Sequence, residues 1–188
     1  MTGTATIHDV ELKPTKLELL ADWLPNQSWF EGTGDDLHRV AAYRFVDPDG
    51  EVGIETLLVS SAGATYQVPL TYRDEPLDDD FAILVGTLEH GALGTRYCYD
   101  ATSDPIYVAE LIRVIHEADN EAELSRGEKS MTVRGSGITV VSNASMEAVR
   151  LVRVLDGSHV HTAQPLGTLT GTWTQDGAER TEVLATLR

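Results

Sequence analysis

The chain has 188 residues, 41% of them hydrophobic, which is enough for one ordinary core or for two small subdomains. Its formal net charge of −16 at pH 7 opposes contact with phosphate backbones and anionic lipids, so we expect no binding to nucleic acid or membranes. Cys98 is the only cysteine, which excludes an internal disulfide bond and a cysteine-rich metal site. No apolar run approaches a membrane span, and the first residues, MTGTATIHDVEL, lack an export signal, so a cytoplasmic location is expected.

The first part of the chain predicts a short helix followed by antiparallel strands. Thr15 and Glu18 form a T-x-x-E capping box, and leucines at helical spacing lead to Pro25, so a helix is predicted near residues 15–25. Apolar segments separated by turn residues such as Asp-Pro-Asp-Gly then predict a series of hairpins. The predicted strands span residues 38–46, 52–59, 65–72, 82–88 and 94–99.

A second helix is predicted over residues 105–118. Asp104 can cap it, and Pro105 suits its first turn. The side chains predicted to form its apolar face are Ile106, Ala109, Ile112 and Ile115, widened by Val108, Leu111 and Val114. A helix this apolar is expected to be mostly buried.

Beyond a charged segment at residues 120–129, the pattern changes to short strands separated by glycine-containing turns. They are predicted at residues 131–134, 138–141, 148–155, 166–173 and 181–187. The order of elements predicts an α+β fold with antiparallel sheets. The charged segment is the best candidate for a boundary, which divides the chain into residues 1–128 and a β-rich subdomain at residues 129–188.

Residues 23–34 read WLPNQSWFEGTG, and we call this stretch the aromatic turn. It fits the pattern W-L-x-x-Q-x-W-[FY]-x-G and resembles the N-terminal cap region of actinobacterial maltokinases. The residues that carry this motif are Trp23, Leu24, Gln27, Trp29, Phe30 and Gly32. TYQVPL at residues 65–70 and YCYDA at residues 97–101 are similar to the same region, and residues 142–153 resemble the start of a kinase amino-terminal lobe.

The resemblance implies a cystatin- or monellin-like cap over residues 1–128, in which a curved antiparallel sheet wraps a helix. Residues 129–188 would then resemble a truncated kinase amino-terminal lobe. The aromatic turn has two interpretations. Trp23, Trp29 and Phe30 could pack across the end of the first helix, or their exposed rings could form a platform for a sugar. We favour packing and expect Trp29 to be mostly buried.

Phosphoryl transfer by a kinase needs a lysine on the third strand, a glutamate on the next helix and two aspartates. The part of the sequence that resembles a kinase does not provide these residues. Arg150 stands at the position of the lysine and is not an equivalent replacement. Asp156 to Pro165 is too short for the helix, and the sequence ends at Arg188, before a lobe that could carry the aspartates. We therefore predict that the protein is not a kinase and that it has no catalytic residues and no cofactor.

Four other polar residues form weak candidate sites: Glu89, His90, His159 and His161. Glu89 and His90 are neighbours near a hairpin, and neighbouring strand residues point to opposite faces, which argues against a working pair. The two later histidines could face the same side of an extended segment, but no third ligand has a recognised spacing, so no metal site is predicted. Cys98 is expected to be a buried, unreactive thiol, and Asp78 to Asp80 a solvated run of charge.

Two functions of different classes are compatible with this sequence. The first is a non-catalytic binding or regulatory module that pairs with a sugar kinase or a glucan-metabolism enzyme, or associates with itself. The second is a small enzyme or ligand-binding protein that uses a pocket between the sheets. A broad apolar surface patch would favour the first function, and convergent polar groups in a deep cavity would favour the second.

Overall fold

The computed structural model describes residues 3–138, 149–157 and 165–188. Within these ranges the strands are β1 (Thr4–Ala5), β2 (Leu12–Lys13), β3 (His38–Val46), β4 (Gly53–Ser61), β5 (Ala64–Arg73), β6 (Leu84–His90), β7 (Gly94–Asp100), β8 (Glu123–Leu124), β9 (Met131–Gly135), β10 (Val149–Leu151), β11 (Gly167–Gln175) and β12 (Ala178–Leu187). The α-helices are α1 (Lys16–Trp23) and α2 (Pro105–His116). Short 3-10 turns follow at Leu24–Asn26, Gly34–Asp36 and Ala101–Ser103.

Antiparallel sheet dominates the fold, as predicted for the α+β class. The larger sheet has six strands in the order β2-β6-β7-β5-β4-β3 and curls into a half-barrel. The smaller sheet has four strands in the order β10-β12-β11-β9. β1 and β8 form a separate parallel pair, in which Thr4 lies opposite Glu123.

Helix α1 lies on one face of the six-stranded sheet. The predicted capping box is present, because the Thr15 side chain accepts from the Glu18 amide and the Glu18 carboxylate accepts from the Thr15 amide. Pro25 then tightens the chain into a 3-10 turn, so the predicted helix of residues 15–25 ends at Trp23. The apolar cluster under this helix contains Leu20, Trp23, Leu24, Phe30, Leu37, Leu57, Val59, Tyr66, Val68 and Leu70.

Helix α2 packs against the opposite face of the six-stranded sheet and against the four-stranded sheet. Asp104 Oδ1 accepts from the Ile106 amide at 3.0 Å, which confirms the predicted cap. The buried stripe is formed by Tyr107, Val108, Leu111, Val114 and Ile115. Ile106 and Ile112 are half-buried and pack against the core, whereas Ala109 is exposed, so the predicted face is wrong at Ala109. The reason is that Tyr107, with Leu111 and Val114 at helical spacing, turns the stripe away from Ala109.

One apolar cluster crosses the predicted boundary between residues 128 and 129. From the first part of the chain it includes Tyr43, Phe45, Ile54, Leu58, Tyr107 and Leu111, and from the second part Met131, Val133, Leu169, Trp173, Leu184 and Leu187. The charged segment before the boundary is itself tied to β9. The buried carboxylate of Glu121 accepts from the Val133 amide at 2.7 Å and from Lys129 Nζ at 3.0 Å. The two parts therefore share a core, and the division at residue 128 stays a prediction.

Most predicted strands lie close to the observed ones, but the strand predicted at residues 148–155 is too long, because β10 ends at Leu151. β3 matches its prediction at both ends, and β5, β7 and β9 extend theirs by one residue or two. The strand predicted at residues 138–141 falls mostly outside the described residues. Among the helices that the structure describes, none combines the length and apolarity needed to cross a bilayer.

Candidate functional site

The aromatic turn packs as a cluster at the end of α1. Trp23 and Phe30 are buried, and the centroids of the Phe30 and Tyr66 rings are 4.7 Å apart. The Trp29 ring lies 6.1 Å from Trp23 and 6.3 Å from Tyr66, between centroids. Trp29 is partly exposed but packs against the apolar cluster under α1, in agreement with the expectation that most of it is buried.

A cation covers the Trp29 ring. The Arg153 guanidinium carbon lies 4.7 Å from the ring centroid, within the range of a cation–π contact. Arg153 Nη2 also donates to Asp100 Oδ2 at 2.5 Å and to Thr102 Oγ1 at 3.2 Å. Trp29 therefore joins the turn to the segment after β10. One face of the ring is occupied by a residue of this chain, which argues against a free platform for a sugar.

The remaining motif residues support the backbone of the turn. Gln27 Nε2 donates to the Trp23 carbonyl at 3.2 Å, and Leu24 is fully buried. A Cβ atom added at Gly32 would lie 2.3 Å from Ser61 Oγ. That hydroxyl accepts from the Thr33 amide at 2.9 Å and donates to the Thr33 carbonyl at 3.0 Å, so only glycine fits beside it.

A cavity of about 780 Å³ lies beside the first residue of α1. The N-terminal segment around residues 4–12, strands β3 to β6 and the segment around residues 124–128 contribute to its lining. Of the titratable side chains that line it, five are Lys or Arg and five are Asp or Glu, whereas the whole chain has 14 and 30. The cavity is therefore much less acidic than the rest of the protein.

The most buried carboxylate of the cavity is Glu55, whose side chain is 3% exposed. Glu55 and Arg44 are directly opposite each other on β4 and β3, and Arg44 Nη2 lies 2.9 Å from Glu55 Oε1. Lys16 Nζ forms an ion pair with Oε2, to which the Tyr72 hydroxyl donates at 3.1 Å. We call Lys16, Arg44, Glu55 and Tyr72 the floor network.

The charges of the floor network decide the ionisation of Glu55. Burial alone would raise the pKa of this carboxyl, but the Lys16 and Arg44 cations outweigh burial and lower the pKa to about 2. Burial, together with the Glu55 charge, raises the pKa of the Tyr72 phenol well above its ordinary value. At neutral pH the network therefore holds an ionised carboxylate and a neutral phenol.

Glu89 and His90, the weak candidate pair, are neighbours on β6 and point to opposite faces of the strand. His90 lines the cavity, where its ring lies 5.2 Å from that of His8, edge to face. Burial and then the neighbouring His8 and Arg96 charges lower the pKa of His90. Glu89 is exposed and accepts from Thr95 Oγ1 at 2.7 Å. His159 and His161 lie outside the described residues.

The other polar candidates have simple surroundings. Cys98 is fully buried, and burial raises the pKa of its thiol to about 12, as expected for an unreactive cysteine. Arg150 is exposed on β10, and Asp78 to Asp80 are exposed as predicted. In the described ranges, no three His, Cys, Asp or Glu side chains are grouped so that they could hold a metal ion.

The family comparison concerns the middle of this structure. Residues 23–104 match the family model of the maltokinase N-terminal cap domain. We call these residues the cap region. The match confirms the resemblance drawn from the aromatic turn, and it runs from Trp23 to Asp104, the residue that caps α2. No curated protein matches the chain. Three of the four floor residues lie in the cap region, whereas Lys16 precedes it.

The sequence analysis missed the floor network, although one signal was available. Glu55 is the only charged residue in the mostly apolar run GIETLLV, and Arg44 stands between Tyr43 and Phe45. A charged residue in an apolar strand must be paired if it is buried, so each of these positions called for a partner. The sequence could not supply the partner, because the register of β3 and β4 and the position of α1 come from the fold.

Proposed function

We propose that the chain is a non-catalytic binding module, related to the cap of maltokinases, that holds a small polar ligand in the cavity beside α1. The observation that carries this proposal is the convergence of Lys16, Arg44 and Tyr72 on Glu55 in a cavity of about 780 Å³. A buried ion pair is a weak source of stability compared with apolar packing. Convergent polar groups in a cavity of this size are typical of ligand sites.

Binding without catalysis is favoured by the state of the titratable groups. Glu55 has a pKa of about 2 and both oxygens already accept, so it is a poor general base or acid near pH 7. The Nδ1 atom of His90 accepts from the Ala92 and Leu93 amides, each at 3.2 Å. The Cys98 thiol is neutral and buried. These side chains can contribute fixed charges and hydrogen bonds to a binding site, but they are not suited to proton transfer in catalysis. The single cysteine is in keeping with a cytoplasmic location.

The test is a ligand titration followed by amide NMR spectra of the whole chain. The panel contains glucose, maltose, glucose 6-phosphate, gluconate and ATP with magnesium. We expect saturable shifts of cavity amides, such as those of Arg39 and Tyr72, with at least one ligand. A Thr6→Trp variant, which adds bulk to the lining, is expected to weaken binding, and Thr132→Trp on β9 serves as its control.

Two outcomes would contradict the proposal. The first is a panel in which no ligand shifts any cavity amide. The second is turnover. A phosphorylation assay with ATP, magnesium and each sugar is expected to give no product. Product that forms with the wild type but not with Arg150→Ala would instead support a kinase activity.

A second candidate function, docking on a partner protein, is favoured by the segment between β5 and β6. Phe81 is 86% exposed, Ile83 and Leu84 are also exposed, and Asp78 to Asp80 precede them. The backbone is nevertheless fixed, because the Ile83 amide donates to Ser103 Oγ at 2.9 Å and the Ile83 carbonyl accepts from the Asp100 amide at 2.9 Å. Exposed apolar side chains on an ordered backbone with acidic neighbours fit an apolar pocket with a basic rim.

The partner in this second candidate is a sugar kinase, a glucan-metabolism enzyme or another copy of the chain. Biolayer interferometry with purified candidate kinases tests the first two, and sedimentation velocity tests self-association. Phe81→Ser is expected to abolish the interaction. Leu166→Ser is the control, because Leu166 is a 52% exposed apolar residue outside this segment, just before β11, and this variant is expected to keep the interaction. Equal binding by the two variants would exclude this segment as the docking surface.

A further inference from the structure

Around Glu55 the cavity has a local excess of positive charge, although the protein as a whole is acidic. Lys16, Arg39 and Arg44 all line the cavity, and the buried carboxylate of Glu55 pairs with the first and the last of them. At pH 7 these four side chains carry three positive charges and one negative charge. Because the chain as a whole carries −16, this local excess of positive charge stands out from its surroundings.

The other acidic side chains of the lining do not cancel this excess. Asp47 is buried, but its carboxylate accepts from the Asp49, Glu51 and Val52 amides and so stabilises the turn between β3 and β4. Glu51, Asp74 and Glu128 are exposed to water, where their charges are screened. The negative groups are thus solvated or used by the backbone.

Several cationic donors in the cavity remain available. Within the described part of the chain, the Arg39 guanidinium makes no ion pair or side-chain hydrogen bond. Arg96 Nε is buried and has no hydrogen-bond partner there, although its Nη2 donates to the Leu93 carbonyl at 2.5 Å. A buried donor without a partner calls for an explanation, because it costs free energy to bury a polar group whose hydrogen bond is not made. The Arg39 guanidinium, by contrast, is exposed and accessible to an oxyanion in the cavity.

Glu55 holds two further cations in place without using up their donors. Lys16 has three N–H donors and Arg44 has five, and the described ion pairs to Glu55 use one from each. The carboxylate therefore fixes the position of both groups before a ligand arrives, which lowers the cost of ordering them on binding. His90 reports the same electropositive surroundings, since the His8, Arg96 and Lys16 charges add to burial in lowering its pKa.

We infer that the ligand of this cavity is a small organic anion whose phosphate or carboxylate group is bound by Arg39 and by the N–H donors of Lys16 and Arg44 that their described bonds to Glu55 do not use. This inference rests on the proposed function, because it names the chemical class of the ligand for the same cavity. The uncharged part of the ligand would lie along the apolar part of the lining, which includes Leu88 and Leu93. Charge-assisted hydrogen bonds to arginine supply the selectivity for the anionic group.

The test is calorimetry on the whole chain at low ionic strength, with matched neutral and anionic sugars. Glucose is compared with glucose 6-phosphate and with gluconate, and inorganic phosphate is titrated separately. We expect an anionic sugar to bind at least tenfold more tightly than glucose. The affinity should fall as salt is raised, because screening weakens the charge contacts. The comparison of glucose 6-phosphate with gluconate decides whether the group is a phosphate or a carboxylate.

Matched arginine variants locate the binding. Arg39→Ala is expected to weaken anion binding about tenfold or more, as loss of a charge-assisted hydrogen bond does. Arg180→Ala removes the same charge from an exposed position on β12 and is expected to change the affinity less than twofold. Urea midpoints confirm that the variants are folded. Arg39 is exposed, so its replacement should leave the midpoint unchanged.

The outcomes separate the two proposals. If glucose or maltose shifts the cavity amides and anions bind no more tightly, the inference is overturned and the ligand-binding function stands. If anions bind but Arg39→Ala and Arg180→Ala weaken binding equally, the interaction is a diffuse charge effect and the inference is also overturned. If no probe shifts a cavity amide, both proposals fail.

Discussion

Replacement of Glu55 by glutamine is expected to destabilise the protein strongly at neutral pH. The substitution keeps the shape of the side chain but leaves the Lys16 and Arg44 cations without their shared counter-ion. Removing one partner of a buried ion pair costs about 3–5 kcal/mol. Lys16 and Arg44 are each 21% exposed and can recover some hydration, so we expect the lower end of that range.

The pKa of Glu55 gives a second route to the magnitude. A pKa lowered from 4.5 to about 2 corresponds to about 3 kcal/mol of preferential stabilisation of the ionised form. Since the folded-state pKa is depressed, this stability is present above pH 4.5 and is lost as the pH falls towards about 2. The difference between wild type and Glu55→Gln should therefore be large at pH 7 and should shrink between pH 4.5 and 2.

The assay is urea unfolding followed by tryptophan fluorescence at pH 7, 4 and 2.5. Glu89→Gln is the matched control, because Glu89 is an exposed glutamate in a strand of the same sheet and makes one hydrogen bond to Thr95. We expect this control to cost less than about 1 kcal/mol. A loss below about 1 kcal/mol in Glu55→Gln at pH 7, or a loss that stays constant down to pH 2.5, would refute the reasoning.

Three further predictions concern the core. Trp29→Ala should cost about 2 kcal/mol in urea unfolding, less than a fully buried tryptophan. Arg153→Ala should cost less in the Trp29→Ala background than in the wild type because the two side chains are in contact, and the remaining cost comes from the buried Asp100 carboxylate, which loses its partner. A fully additive pair would show that the cation–π contact contributes nothing. Gln67→Leu should cost about 2–3 kcal/mol in the same assay, since Gln67 Nε2 serves two buried carbonyl groups at 2.8 and 2.9 Å. A smaller loss would mean that these carbonyls find other donors. Cys98 should not react with a thiol reagent at pH 8 until urea unfolds the protein, because the thiol is buried and its pKa is about 12. Rapid labelling of the folded protein would contradict its burial.

Much of the fold could be predicted because its signals are local. The capping box at Thr15 fixed the start of α1, and the Asp-Pro pair at Asp104 fixed the start of α2. β3 was predicted at both ends because a segment rich in strand-forming residues precedes the Asp-Pro-Asp-Gly turn. Two-residue strands such as β1 and β8 were missed, since a segment this short carries no periodic pattern.

The candidate site could not be predicted in the same way. The floor network brings together a residue of α1 and residues of three strands, and their meeting depends on strand register and on the angle of the helix. The same limit applies to Trp29, whose aromatic motif was evident while its partner Arg153 lies far along the chain. Sequence reasoning predicted correctly that Trp23, Trp29 and Phe30 pack at the end of α1, but it could not predict that a cation covers the Trp29 ring.

The cap region depends on residues that lie on both sides of it. Before it, Lys16 completes the floor network with Arg44 and Glu55. After it, Arg153 covers Trp29, and the Val152 carbonyl accepts from Gln67. The features that define the cap motif are thus completed by contacts that the motif does not include. A related chain could keep every motif residue and still lose the cation at position 16, and with it much of the positive charge in the cavity. The resemblance to a cap therefore accounts for the sheet and the aromatic turn, whereas the ligand preference has to be argued from the flanking residues of this chain.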